Sequence, residues 1–157
     1  MAKYLNQDLI YKNSNKIETF KGVRISARTK KLYNSLANKP ENLCSKDMVE
    51  LTNLILNDFK TTPIITVVFG GTQPNAVNQR GKLVSKTLGV YMTGLKSITV
   101  YKHTAKTKKV VANKTALNVL LHEIMHHIDY EYLKLGGSLH TAGFYKRISW
   151  LSDKLKT

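Results

Sequence analysis

The sequence predicts an α+β fold: a small, mainly antiparallel sheet packed on one long helix and a C-terminal helix. Three observations carry this. A β-branched run, Ile64-Ile65-Thr66-Val67-Val68-Phe69, lies between Pro63 and Gly70-Gly71, the pattern of a buried strand bounded by breakers. Two further extended stretches follow it. The last third holds two apolar stripes at 3–4 spacing, Leu117, Leu120, Leu121, Ile124, Ile128 and then Phe144, Ile148, Leu151, Leu155, which mark amphipathic helices. A chain of 157 residues has the length for one core, so a single domain over 1–157 is the default.

In chain order, residues 1–40 are polar, basic and weakly periodic, an N-terminal segment expected to lie peripheral to the core. Within it Val23-Arg24-Ile25-Ser26 reads as a short strand and Arg28 to Ala37 as a helix. Pro40-Glu41-Asn42 is a break. Ser45 is the expected N-cap of a helix with the stripe Met48, Leu51, Ile55, Phe59, ending near Lys60. After the strand at Ile64–Phe69, Thr72 to Gly81 reads as a polar loop. Leu83 to Met92 and Ile98 to Tyr101 read as strands turned at Thr93-Gly94, and Lys102 to Lys109 as a basic loop. Asn113 is the expected N-cap of a helix from about Lys114 to Leu133, which Gly136-Gly137 stops. The second helical pattern opens at His140.

Composition bounds the partners. The net charge is +15, and excess charge of this size bears on partners rather than fold. Segment 12–39 sets eight basic residues against Glu18, and segment 96–114 carries six lysines and no acid. Such stretches can track a phosphate backbone, which makes nucleic acid a candidate partner. A coding sequence rich in lysine codons gives the same composition without that role. No N-terminal signal pattern and no run of membrane-spanning length is present. Cys44 is the single cysteine, which excludes an internal disulfide. These features point to the cytoplasm, or to a host cytoplasm for a viral or plasmid-borne gene, with no membrane partner.

The chemistry lies in His122-Glu123-Ile124-Met125-His126. On a helix, positions i and i+4 share a face, so both imidazoles can reach one metal ion, and the glutamate can polarise its water. Shuffling this composition produces H-E-x-x-H roughly once in 200 trials, so context must support it. It does: the motif falls on the expected helix, beside the apolar stripe, facing a cleft. Catalytic zinc keeps three protein ligands, whereas structural zinc is closed by four. A lone cysteine cannot build a Cys-rich structural site. The metzincin extension is absent, with Asp129 and Tyr132 where its glycine and histidine would stand. His140 is the favoured third ligand, since the Gly136-Gly137-Ser138 turn can return it to the metal helix. Asp129, seven residues after His122, is a rival ligand or a carboxylate that orients an imidazole; a solvated helix aspartate is the plain alternative. Met125 is expected in the core, His127 partly exposed, Glu131 on the surface and His103 solvated in its lysine loop.

His122-Glu123-x-x-His126 followed by His140-Thr141-Ala142-Gly143-Phe144 resembles the SprT-like zinc metallopeptidases, whose pattern is H-E-x-x-H and then a short H-G-x-x-[FW]-like segment with the third histidine. Thr115 and Leu120-Leu121 resemble the family's helix approach, and Gly89-Val90-Tyr91 and Ile98-Thr99-Val100 sit where zincins place strands. The match spans roughly Leu88 to Leu151. The resemblance implies a zincin-like minimal metalloprotease domain. Zn²⁺ would be held by His122, His126 and His140, with Glu123 as catalytic base and a protein or peptide substrate, DNA-associated proteins included. Residues around Leu88 to Met92 are the candidate edge for pairing with extended substrate. Tyr91, Tyr130 and Tyr145 are nearest for holding an oxyanion. The competing readings are a nucleic-acid-binding module on the same scaffold with little or no proteolysis, a regulatory peptidase that does not act on DNA, and a structural helix whose histidines bind nothing.

Overall fold

A computed structural model describes residues 7–64, 66–77 and 83–157. Ile65 of the expected strand, the end of the expected polar loop and the first six residues lie outside them. Five helices form among the described residues: α1 (Gln7–Lys16), α2 (Ala27–Ala37), α3 (Ser45–Phe59), α4 (Asn113–Glu131) and α5 (Ala142–Lys156). The strands are β1 (Thr66–Thr72), β2 (Asn75–Val77), β3 (Leu83–Lys86), β4 (Gly89–Met92) and β5 (Ser97–His103). The class is α+β, and none of these helices is long and apolar enough to cross a membrane.

The sheet runs β1-β5-β4, and β2-β3 form a separate antiparallel pair. β4 and β5 are an antiparallel hairpin, but β1 and β5 pair in parallel from Thr66↔Ser97 to Thr72↔His103. The central sheet is therefore mixed rather than mainly antiparallel. The reason is topological: the hairpin returns β5 between β1 and β4. Glycines 70 and 71 do not end β1, because Gly70 still pairs with Tyr101. The expected strand Leu83–Met92 is two strands broken at Thr87-Leu88, and β2 falls inside the expected polar loop. β1 is buried on one face only: Val67 and Phe69 point inward, while Val68 is 40% exposed.

β1 packs on α3, and β4 and β5 pack on α4. Met48, Leu51, Ile55, Leu117, Leu120, Leu121, Ile124, Met125 and Ile128 are all fully buried. Each such side chain contributes about 1.5–3 kcal/mol by leaving water, so α4 is held on several sides. Its expected cap is displaced by one residue. Ala112 stands at the cap and Asn113 is the first helical residue. The Asn113 amide instead accepts from Leu43 N–H (3.1 Å) and donates to the carbonyls of Glu41 (2.8 Å) and Lys39 (3.1 Å). Cys44, not Ser45, caps α3, with Asp47 accepting its N–H at 3.0 Å. The Ser45 hydroxyl is occupied by Phe69 N–H at 2.9 Å, tying α3 to β1.

The described part of the N-terminal segment, residues 7–40, is not peripheral. Phe20, Ile25, Tyr33 and Leu36 belong to the core, and the Phe20 ring meets Phe59 (4.9 Å) and Trp150 (5.3 Å) edge-on. Val23–Ser26 forms no strand, since no other described segment pairs with it. Its Ser26 caps α2 instead, accepting from Thr29 N–H at 3.2 Å. α1, which the sequence does not announce, packs on α5. Gly143 permits the approach: a Cβ there would strike the Ser14 carbonyl and come within 2.7 Å of that of Asn15.

Candidate metal centre

α4 presents His122, Glu123 and His126 on its cleft side. The chain then leaves the helix, turns through Gly136 (φ 79°) and enters α5 at a capped terminus, where the Thr141 hydroxyl accepts from Phe144 N–H at 3.0 Å. His140 stands just ahead of that cap, so the cap fixes where its backbone lies. The result is convergence. The His140 Nε2 is 3.2 Å from that of His122 and 3.1 Å from that of His126. Tetrahedral zinc with bonds of about 2.0–2.1 Å separates its ligands by roughly 3.3 Å, so these nitrogens fit one ion. His122, His126 and His140 lie close enough to bind a metal ion, and imidazole donors serve zinc, copper, iron and nickel alike. Phe144 is the floor of the centre, its ring 4.7 to 5.3 Å from all three imidazoles.

The electrostatics suit the geometry. Burial, with the neighbouring His140, holds the His122 imidazole down at about 4. Burial, with His122 and His140, holds His126 at about 3. Both are neutral near pH 7, with lone pairs free for a metal. Glu123 is only 6% exposed, and burial pushes its carboxyl up to about 7. Gly89 encloses it: a Cβ there would meet Val119 Cγ1 at 2.7 Å, the Thr99 carbonyl at 3.0 Å and Glu123 Cγ at 3.3 Å. Only glycine lets β4 come so near α4. Two adjoining cavities of about 330 and 490 Å³ meet at Gly89, His122, Glu123 and His140, so the cleft follows β4 across the centre.

Other expected residues fall into place around it. Asp129 is fully buried, not solvated, and is not among the converging donors. It faces Arg147 Nη2 at 3.0 and 3.1 Å and accepts from the Ser138 hydroxyl at 2.7 Å. Ser138 Oγ in turn lies 2.6 Å from His126 Nδ1. Burial pushes the Asp129 carboxyl up to about 6 against the pull of Arg147 and Ser138. His127, expected partly exposed, is buried because β4 lays Tyr91 over it. Its Nε2 is 2.6 Å from the Thr62 carbonyl and its Nδ1 is 2.8 Å from the Tyr91 hydroxyl. A carbonyl only accepts, so Nε2–H donates, and in neutral His127 the Tyr91 O–H donates to Nδ1. Tyr130 stacks on Tyr91 and lines the cleft, while Tyr145 is exposed beside His122 and His140. Met125 is in the core as expected. Glu131 is half-buried rather than free, pairing with Lys96 (3.4 Å) and Lys134 (3.9 Å). His103 is half-buried at the end of β5, which runs into the expected lysine loop and pairs it with Thr72.

Ser138, Arg147 and Ser14 were not legible as site residues. Arg147 had a signal: it interrupts the stripe of Phe144, Ile148, Leu151 and Leu155, and a charge on a buried face requires a partner. Ser14 had none, because α1 lacks an apolar stripe. Compared with protein-family models, curated proteins and solved structures, the chain matches none.

Proposed function

We propose that the protein is a zinc-dependent metallopeptidase of zincin-like fold, with the metal on His122, His126 and His140 and Glu123 as general base. The observation that carries the reading is the buried Glu123 directly beside three converging imidazoles. Three histidines alone would hold an ion without supplying a group that moves protons. A carboxyl raised to about 7 and walled into the same cleft is placed to exchange protons near neutral pH. Zinc, when bound, lowers the pKa of a water toward neutrality and polarises a carbonyl. Glu123 would accept the proton of the water that adds to the peptide carbonyl and would give it to the amine released as the C–N bond breaks. Three protein donors leave room for water and substrate.

The cleft supports an extended peptide as substrate. Among the described residues β4 ends the sheet, paired with β5, and a substrate strand could add to its other edge through main-chain hydrogen bonds. One lobe of the cleft is walled by Leu88 and Val119, the other by Tyr91, Tyr130 and Ser138. The resemblance of His122-Glu123-x-x-His126 and of the His140 to Phe144 segment to the SprT-like pattern supports the same reading. The net charge of +15 supports substrates held on nucleic acid, and salt-dependent retention on DNA tests that part separately.

Glu123→Gln tests the reaction. It leaves all three imidazoles in place, so zinc content should match the parent, while cleavage of an unfolded protein substrate should fall by at least about 10²–10⁴-fold. A variant that cleaves as fast as the parent would overturn the assignment.

A further inference from the structure

We propose that Ser138, backed by Asp129 and Arg147, is a positioning residue that fixes His126 as its Nδ1–H tautomer and so aims the Nε2 lone pair at the metal. The inference rests on the metal centre proposed above but not on peptide hydrolysis.

Hydrogen-bond directions carry it. Arg147 Nη2 lies against both Asp129 oxygens (3.0 and 3.1 Å), and both side chains are fully buried. A guanidinium only donates, so both oxygens accept. The Ser138 hydroxyl, 2.7 Å from Asp129 Oδ2, must then give its one proton to the carboxylate. Ser138 Oγ also lies 2.6 Å from His126 Nδ1. With its proton committed, the oxygen can only accept, so His126 Nδ1 carries the hydrogen. The hydrogen bond at one ring nitrogen decides what the other can do. Here it leaves Nε2 unprotonated, and that atom is the one converging on His140 Nε2 at 3.1 Å.

The relay is anchored far along the chain. Arg147 Nη1 donates to the carbonyls of Ser14 (2.6 Å) and Ile17 (2.7 Å), and its Nη2 donates to Ser14 Oγ (3.1 Å). Ser14 Oγ is also 2.9 Å from Thr141 Oγ1, the cap beside His140. α1 therefore braces the arm behind His126 and the turn that carries His140. This gives the N-terminal helix a role in the centre that its sequence does not suggest.

The test uses the full chain, zinc-free and zinc-loaded, as parent, Ser138→Ala and Ser138→Thr. Side-chain ¹⁵N–¹H NMR reads the tautomer, chelator competition reads zinc affinity, and circular dichroism reads folding. The parent should show Nδ1–H at His126 with and without zinc. Ser138→Ala should fold, lose that signature in the zinc-free protein and bind zinc about 10–100-fold more weakly. Ser138→Thr, which keeps the hydroxyl, should restore both. An Nε2–H tautomer in the zinc-free parent, or parental zinc affinity in folded Ser138→Ala, would overturn the proposal. The expected tautomers and affinities in a parent that cleaves no peptide would support the relay and refute the peptidase reading alone.

Discussion

The helical corner where α1, α4 and α5 meet and the sheet edge at β4 face each other across one cleft, and they are built in opposite ways. The corner is closed: Arg147 and Asp129 are fully buried against each other, and Ser14, Ser138 and Thr141 are tied in by hydrogen bonds. The edge is open. Met92 is 50% exposed, Leu88 stands out to solvent, and among the described residues β5 is the one strand paired with β4. A pin from Tyr91 to His127 and a glycine-close approach at Gly89 hold it to α4. The contrast assigns the work. On the proposed reading, donors that must hold angstrom-scale geometry sit where hydrogen bonds and burial already order the fold, and the edge that would admit an extended chain has β5 as its strand partner among the described residues.

The largest effect should come from breaking the corner. Asp129→Ala strands a buried guanidinium, and losing one partner of such a pair costs about 3–5 kcal/mol, a large share of a typical domain's 5–15 kcal/mol. Met92→Ser on the exposed edge should stay within about 0.5 kcal/mol. Urea midpoints measure both, and similar values for the two would dissolve the contrast.

A second effect separates the charge states along the α4 side of the cleft. His122 and His126 are held neutral well below pH 7, whereas Glu123 sits at about 7 and is largely protonated at pH 6. A divalent cation beside a carboxyl favours its ionised form, so zinc binding should expel the Glu123 proton below pH 7 and find little to expel above it. Calorimetry in buffers of different ionisation enthalpy counts these protons. The parent should release about one more proton than Glu123→Gln near pH 6, and this excess should shrink toward zero by about pH 8. An excess that does not change with pH would place the carboxyl's titration elsewhere.

The smallest effect tests the pin. Burial, with Glu131 and Tyr130 nearby, pushes the Tyr91 phenol up to about 12, and its proton is committed to His127. Tyr91→Phe should cost about 1 kcal/mol of stability. It should change the cleavage rate far less than the roughly 10²–10³-fold loss that follows removal of an oxyanion donor. A loss of that size would make Tyr91 part of the chemistry.

What the sequence made legible follows from what is local. The α4 stripe, the α3 stripe and H-E-x-x-H are periodic within one element, and the burial of Leu117 through Ile128 matches them. His140 was legible because a glycine turn and a second stripe limit where the chain can return. The remainder depended on partners distant in sequence. Val23–Ser26 has strand-forming residues but no strand beside it among the described residues. The parallel β1–β5 pairing depends on where a hairpin lands. α1 buries only Ile10 and Ser14, so its place is set by Arg147 and Gly143 on another helix. His127 looks exposed by helix angle until β4 covers it.

The most direct test of the central claim is the metal content of protein purified without a chelating tag, measured for the parent, Glu123→Gln and His140→Ala. The three-histidine centre predicts about one zinc per chain in the parent and in Glu123→Gln, and loss of most of it in folded His140→Ala. A metal-free parent, or a His140→Ala variant holding as much zinc as the parent, would contradict it.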